Sequence, residues 1–385
     1  MWTSRRERPK IVPNMPDLVL RKIFSYLDYP RLCKMERVCK RWMNTVHAQF
    51  RREIQEITIE RLGSVSPTAY QCVPFRRLSI QCPADSTDFL AGVFRRSRLS
   101  IMRMTTDINF LANIQQVRVS KESSRRYFSN VEELWLLIIH PDNDVTSRFL
   151  SIEKTLFCEL NQLTLQVHVN ARYYENVGKI VEAFVLRYSK AQINLELHAD
   201  KSHLILNQLS YLPSLPLNKI KIICTDFYQP QLRLDSLYAV MREKNIIAKN
   251  ITIRDWSLYA DGYSPLSYNP METFRISSCT VETVDGLVRS LQKTADQKPP
   301  VTEKKKKVVK KKKEDENPDK PKKKIVKRIV KKKKDPYIKK LEIAGQCTLH
   351  GLQFLQDRAH TELEKRLGTA IPDMDVDCSE IYYCW

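Results

Sequence analysis

Three aspartates at alternate positions, Asp373, Asp375 and Asp377, have the spacing that opens a calcium-binding loop. Such a loop needs glycine at its sixth position and glutamate at its twelfth, where Cys378 and Cys384 stand, so the pattern fails. The alternation reads instead as a strand with Met374, Val376 and Cys378 toward a core and the aspartates toward water. His198 and His203 lie close together, but two ligands do not close a zinc site. The ten cysteines stand apart with no Cys-x-x-Cys pair, the usage of reduced thiols in an intracellular protein. No Gly-x-Ser-x-Gly elbow or His-Glu-x-x-His helix occurs, and the eight glycines form no phosphate-cradling loop. The expectation is a chain without catalysis, metal or cofactor.

Charge is the next chemical signal. Of the net +21, residues 1–52 carry +9 and residues 298–335 carry +13, which leaves −1 for everything else. A basic total concentrated in two segments does not imply a nucleic-acid-binding fold. The second segment holds Lys304, Lys305, Lys306, Lys307, Lys310, Lys311, Lys312 and Lys313, with further lysines and prolines beyond. Self-repelling, aromatic-free sequence of this kind is expected to be a disordered insertion. Its readings are a solvated loop, a nuclear-import tract, contact with nucleic acid or an acidic partner, or a set of lysine acceptors for covalent self-modification. Sequence-specific base reading is disfavoured, since Arg328 is its one arginine and no aromatic ring is present to stack on bases.

The elements around these groups begin with residues 15–46. Pro16 and Pro30 each precede a helical pattern, where a missing N–H costs nothing. Leu20, Ile23, Phe24 and Leu27 recur at helical spacing, followed by Leu32, Met35 and Val38–Cys39, then Trp42, Met43 and Val46. Three short helices result. Seventeen of the 32 residues are apolar or aromatic, more than so small a unit can hide. Part of this surface must be covered by another body.

The string Met15-Pro16-Asp17, Ile23-Phe24-Ser25-Tyr26-Leu27, Leu32 and Val38-Cys39-Lys40-Arg41-Trp42 resembles the F-box motif over its whole length, with Met15 in place of the usual leucine. The resemblance implies docking of a Skp adaptor and, through it, a cullin scaffold. Carried over by position, the adaptor contacts are Pro16, Leu18, Val19, Ile23, Leu27, Leu32, Val38 and Trp42. Which of them face the adaptor and which face the segment's own core stays open.

After residue 52 an apolar triplet recurs, the second member three positions after the first and the third two beyond that. Copies include Phe75-Leu78-Ile80, Ile114-Val117-Val119, Val131-Leu134-Leu136, Leu160-Leu163-Leu165, Leu217-Ile220-Ile222, Ala248-Ile251-Ile253 and Met271-Phe274-Ile276. Ile338-Leu341-Ile343 and Ile371-Met374-Val376 close the series, with a weaker copy at Ile193-Leu195-Leu197. From Leu136 the third members, taken through Leu195, fall 29, 30, 27, 31 and 23 residues apart; the next gap is 67, or 29 once residues 298–335 are removed. Strands at this period, joined by amphipathic stretches such as Val177–Leu186, Val284–Leu291 and Leu352–Leu367, describe a βα solenoid. Asp235 is expected to cap the helix containing Leu237–Met241. The array resembles an irregular leucine-rich repeat. Its corner asparagine is absent, since only Cys279 fits that position while His168, Thr225, Trp256, Gln346 and Ser379 do not. A related βα domain of divergent F-box families is the alternative.

The expected α/β organisation is therefore a three-helix F-box at 11–52, leucine-rich-repeat-like βα units at 53–297, a disordered lysine-rich insertion at 298–335, and final repeats with a cap at 336–385. The functional expectation is an intracellular, cytoplasmic or nuclear, substrate-receptor subunit of a Skp–cullin–F-box ubiquitin ligase. Its alternative is a nuclear module that binds nucleic acid or acidic partners through the basic tract. No apolar run approaches the roughly 20 residues of a membrane span.

Overall fold

The computed structural model describes residues 15–53, 55–61, 68–72, 77–82, 87–97, 100–113, 128–152, 156–267, 269–297, 337–345, 347–350, 356–368 and 371–377. The expected strands around Phe75 and Ile114–Val119 fall partly or wholly outside them, as does the lysine-rich segment.

The chain opens with α1 (Asp17–Phe24), α2 (Tyr29–Met35) and α3 (Lys40–Glu53). Strands β1 (Glu56–Arg61), β2 (Thr68–Cys72) and β3 (Arg77–Cys82) follow, then α4 (Thr87–Ser97), β4 (Arg103–Asp107) and α5 (Ile108–Asn113). A run of units succeeds them: β5 (Glu133–Ile139) with α6 (Asn143–Leu150), β6 (Gln162–His168) with α7 (Tyr174–Arg187), and β7 (Gln192–Ala199) with α8 (Ser202–Ser210). Next come β8 (Pro216–Cys224), β9 (Gln231–Arg233) and α9 (Leu234–Glu243), then β10 (Ile247–Arg254) and β11 (Ser257–Tyr259). The chain continues through β12 (Met271–Ser277), β13 (Thr280–Val281) and α10 (Val284–Ala295). It finishes with β14 (Ile338–Ala344), β15 (Thr348–Leu349), α11 (Gln356–Leu367) and β16 (Asp373–Asp377).

Among the described residues twelve strands form one sheet in the order β16-β14-β12-β10-β8-β7-β6-β5-β4-β1-β3-β2. All its pairings are parallel except β2 with β3. From β4 onward each strand lies beside the next of the array, the solenoid-like arrangement that the period implies.

The triplets explain the packing. Leu136, Leu165, Leu195, Ile220, Ile251, Phe274, Leu341 and Met374 align as one row across the sheet. A second row runs Leu197, Ile222, Ile253, Ile276, Ile343 and Val376. The three-residue step reflects two successive side chains left outside the core, as at Asn218–Lys219 between buried Leu217 and Ile220. One expectation is corrected here: Leu195 pairs with Ile220, and the partner of Ile222 is Leu197. Strand β7 is apolar at Ile193, Leu195 and Leu197 alike, so sequence gives two frames that differ by two residues and keep the same face inward.

Helices cover one face of the sheet; α7 contributes Val177, Ile180, Val181 and Phe184 to the shared core. Asp235 lies inside the first turn of α9, not at its cap, and its Oδ2 accepts the backbone N–H of Asp261 at 3.1 Å. A second ladder, β15-β13-β11-β9, lies past the corners that end the long strands. Asp255, Ser278 and Gly345 take positive φ of 61°, 51° and 78° at three of those corners, each two residues after Ile253, Ile276 and Ile343. Beneath them sit buried Trp256, Cys279 and Cys347 in place of an asparagine ladder. The Cys279 thiol bonds the carbonyl of Ser277 at 3.2 Å, taking over part of the amide's role.

Candidate functional site

Helix α1 is set by Pro16, extended at its N-cap, and by Asp17, whose carboxylate accepts from Arg41 Nε of α3 at 2.8 Å. Arg41 also donates to the carbonyl of Met15, so one guanidinium ties the start of α1 to α3. Asp28 caps α2 by accepting from the N–H of Arg31 at 2.9 Å, with Pro30 in the first turn. The enclosed core is Leu20, Phe24, Leu32, Val46 and Phe50. The Trp42 ring meets Phe24 edge-on with centroids 5.3 Å apart.

What this core omits is the informative part. Leu18 is 79% exposed, Tyr26 71%, and Val19, Ile23 and Val38 between 41% and 43%. Val19, Ile23 and Tyr26 follow helical spacing along one side of α1 and its C-terminal turn. The eight residues expected to contact an adaptor divide accordingly. Pro16, Leu18, Val19, Ile23 and Val38 are exposed, whereas Leu27 and Trp42 are half-buried against the segment's own core. Leu32 is fully interior and has no surface to offer. Tyr26, not among the expected contacts, joins the open row, with the Lys22 ammonium 5.3 Å from its ring centroid. Its signal was present in the sequence as an aromatic residue three positions after Ile23.

The helices are also fastened to the sheet domain, a seam that sequence reasoning did not foresee. Arg96 of α4 reaches the Glu36 carboxylate with two nitrogens, Nη2 at 2.8 Å, and donates to the Tyr29 hydroxyl at 3.2 Å. Arg96 and Glu36 side chains are 20% and 12% exposed. Burial opposes the Arg96 charge, but hydrogen bonding to Glu36 together with the charge interactions of Tyr29, Cys33 and Glu36 outweighs it and holds the guanidinium pKa above its usual value. Burial pushes the Tyr29 hydroxyl up as well. Tyr29 packs edge-on against both Phe50 and Phe89, at 5.5 and 6.3 Å.

The face of the sheet opposite the helices is open and graded. Near β5 it shows Trp135, 42% exposed, whose Nε1 donates to Gln166 at 3.0 Å. An amide ladder follows, from Asn194 to Thr164 at 3.3 Å and from Asn218 to Asn194 at 2.9 Å. His168 and His198 stack with centroids 5.0 Å apart. Among the described residues no group of three His, Cys, Asp or Glu is placed to hold a metal, and no helix is long and apolar enough to cross a membrane. Lys304–Lys307 and Lys310–Lys313 lie outside the described residues.

Comparison with known proteins agrees with this geometry. Residues 12–51 match the F-box domain family. Over 387 aligned residues the chain is 73% identical to a Caenorhabditis elegans protein named as an F-box protein, covering 98% of each. The chain belongs to the F-box protein family. Its F-box domain implies binding of a Skp-type adaptor, and proteins of this family are in general non-catalytic adaptors.

Proposed function

We propose that this protein is the substrate receptor of a Skp–cullin–F-box ubiquitin ligase, with the open row on α1 docking the Skp adaptor and the open sheet face holding a protein substrate. The observation that carries the reading is the row Leu18, Val19, Ile23 and Tyr26, apolar or aromatic side chains turned outward from a helix that already has a complete core. Each fully covered Leu, Val or Ile contributes about 1.5–3 kcal/mol. Leu18, Val19, Ile23 and Val38 together contribute about 6–12 kcal/mol, within the range of the association cost of about 4–15 kcal/mol. The role is positional: holding a substrate beside activated ubiquitin replaces a bimolecular encounter with one at high effective concentration. Such an assembly works in the cytoplasm or nucleus.

The test is co-purification of the Skp adaptor with Leu18→Asp/Ile23→Asp. Both side chains lie outside the core, so melting should be unchanged while adaptor affinity falls at least a hundredfold. Undiminished recovery would remove this reading. Leu27 and Trp42 are poorer choices, because their loss would also loosen the helices themselves.

A further inference from the structure

The open face changes character across β8, β10 and β12. Three register rows cross it: Lys219–Asn250–Thr273, Lys221–Thr252–Arg275 and Ile223–Arg254–Ser277. These nine positions hold four cations and no carboxylate. Arg254 and Arg275 are about half exposed, at 51% and 46%, and Lys221 retains 22%. Carboxylates stand only at the borders. Glu196 of β7 lies 3.6 Å from Lys221, Glu342 of β14 lies 3.4 Å from Arg275, and Asp255 lies 3.0 Å from Arg254.

We infer that this part of the open face receives an extended acidic polypeptide segment with carboxylates recurring about every third residue. The inference rests on the reading that the open face binds protein, and adds the chemistry of what is bound. Lys221 and Arg275 share a row and sit two strands apart. Two strand spacings are about 9.6 Å, and an extended segment in polyproline II geometry, which returns to the same side every three residues, advances about 9.3 Å in that step. Between the cations the partly exposed Asn250 and Thr273 offer hydrogen bonds to the main chain of such a segment. A nucleic-acid backbone fits less well: its charges are dense and continuous, whereas here each border cation has a carboxylate beside it that would repel the next phosphate. Separated cations suit separated anions.

The test pans a displayed library of random twelve-residue peptides against the full chain, then measures affinities of the recovered peptides. Enrichment of Asp and Glu at spacings near three, with at least tenfold weaker binding to Lys219→Glu/Arg254→Glu and partial recovery with the corresponding glutamine pair, is the expected result. Should the reversal variant fold poorly, the glutamine pair alone should still weaken binding about threefold. Two tryptophans, Asn250→Trp and Thr273→Trp, separate the levels of failure. Neutral peptides blocked by the tryptophans but indifferent to charge reversal would overturn the acidic partner while leaving a protein-binding face. Peptides that neither change affects would overturn both. Oligothymidylate bound more tightly than any peptide, and lost on charge reversal, would overturn the acidic partner in favour of nucleic acid.

Discussion

The three N-terminal helices and the βα array solve burial in opposite ways. Residues 15–53 leave five large apolar or aromatic side chains exposed, four of them on α1 and its C-terminal turn. The described part of 128–297 leaves seven over a span several times longer, spread over β5, α6, α7 and the loops after α8, β8 and β11. A solenoid unit finds its missing partner in the next unit. A small helical unit has no next unit, so what its core cannot take in stays outside as a docking surface. Exposed apolar surface is informative where it is contiguous and sits beside a finished core.

The contrast can be broken at the array first. Gly286 of α10 lies so close to the preceding unit that a Cβ there would stand 1.9 Å from the carbonyl oxygen of Ala260. Gly286→Ala should therefore destabilise by about 3 kcal/mol, the upper end for overpacking, measured by urea unfolding. A neutral result would show that units are more loosely stacked than the contrast requires.

A slightly smaller effect is expected at the seam. Glu36→Ala leaves the Arg96 guanidinium without its carboxylate in a largely buried place, at a cost of about 3 kcal/mol, reduced by the residual exposure of the pair. Chemical unfolding should then split into two transitions as α1–α3 uncouple from the sheet. One unaltered transition would mean that the aromatic contacts of Tyr29 hold the regions together unaided.

Proton linkage sharpens the picture of the open face. Burial, then the neighbouring His198 and His140, hold the His168 pKa below 6.5 in the folded protein. The folded state therefore binds fewer protons than the unfolded chain just below pH 6.5, and stability should fall as pH drops through that region. His168→Gln should shrink the difference in melting temperature between pH 7.5 and pH 5.5. Glu196 does not interfere in this window: burial opposes its charge, His198 and Lys221 outweigh that, and its pKa is lowered from 4.5.

Deleting residues 298–335 should have the least effect. Helix α10 ends at Ala295 and β14 begins at Ile338, so the deletion leaves an ordinary short αβ connection. Loop-closure entropy changes slowly with length, and melting should move by no more than about 2 °C. A large drop would tie the segment to the stability of β12 and β14.

Much of this architecture was legible because its signals are periodic. Helical spacing in Leu20, Phe24 and Trp42 located three helices, and the triplets located the long strands from β5 onward. Periodicity alone did not say which side of α1 is inside: Leu18 and Leu20 are equally apolar, and only the position of α3 buries one and exposes the other. Strand β1 escaped although Ile54, Ile57 and Ile59 have the triplet spacing, because they directly abut the helical run of α3, and β4 escaped because Thr106 puts a hydroxyl in the inner row. Two- and three-residue strands such as β13 and β9 carry too little pattern to be seen. The placement of β3 outside β1 depends on contacts between distant residues, which no local window contains.

The clasp between Arg96 and Glu36 has a mechanical meaning. It makes the molecule a bracket: whatever grips α1 also constrains the orientation of the sheet through that contact. Cargo carried on that sheet would present the same side every time, so the layout of this protein decides which of its groups come within reach.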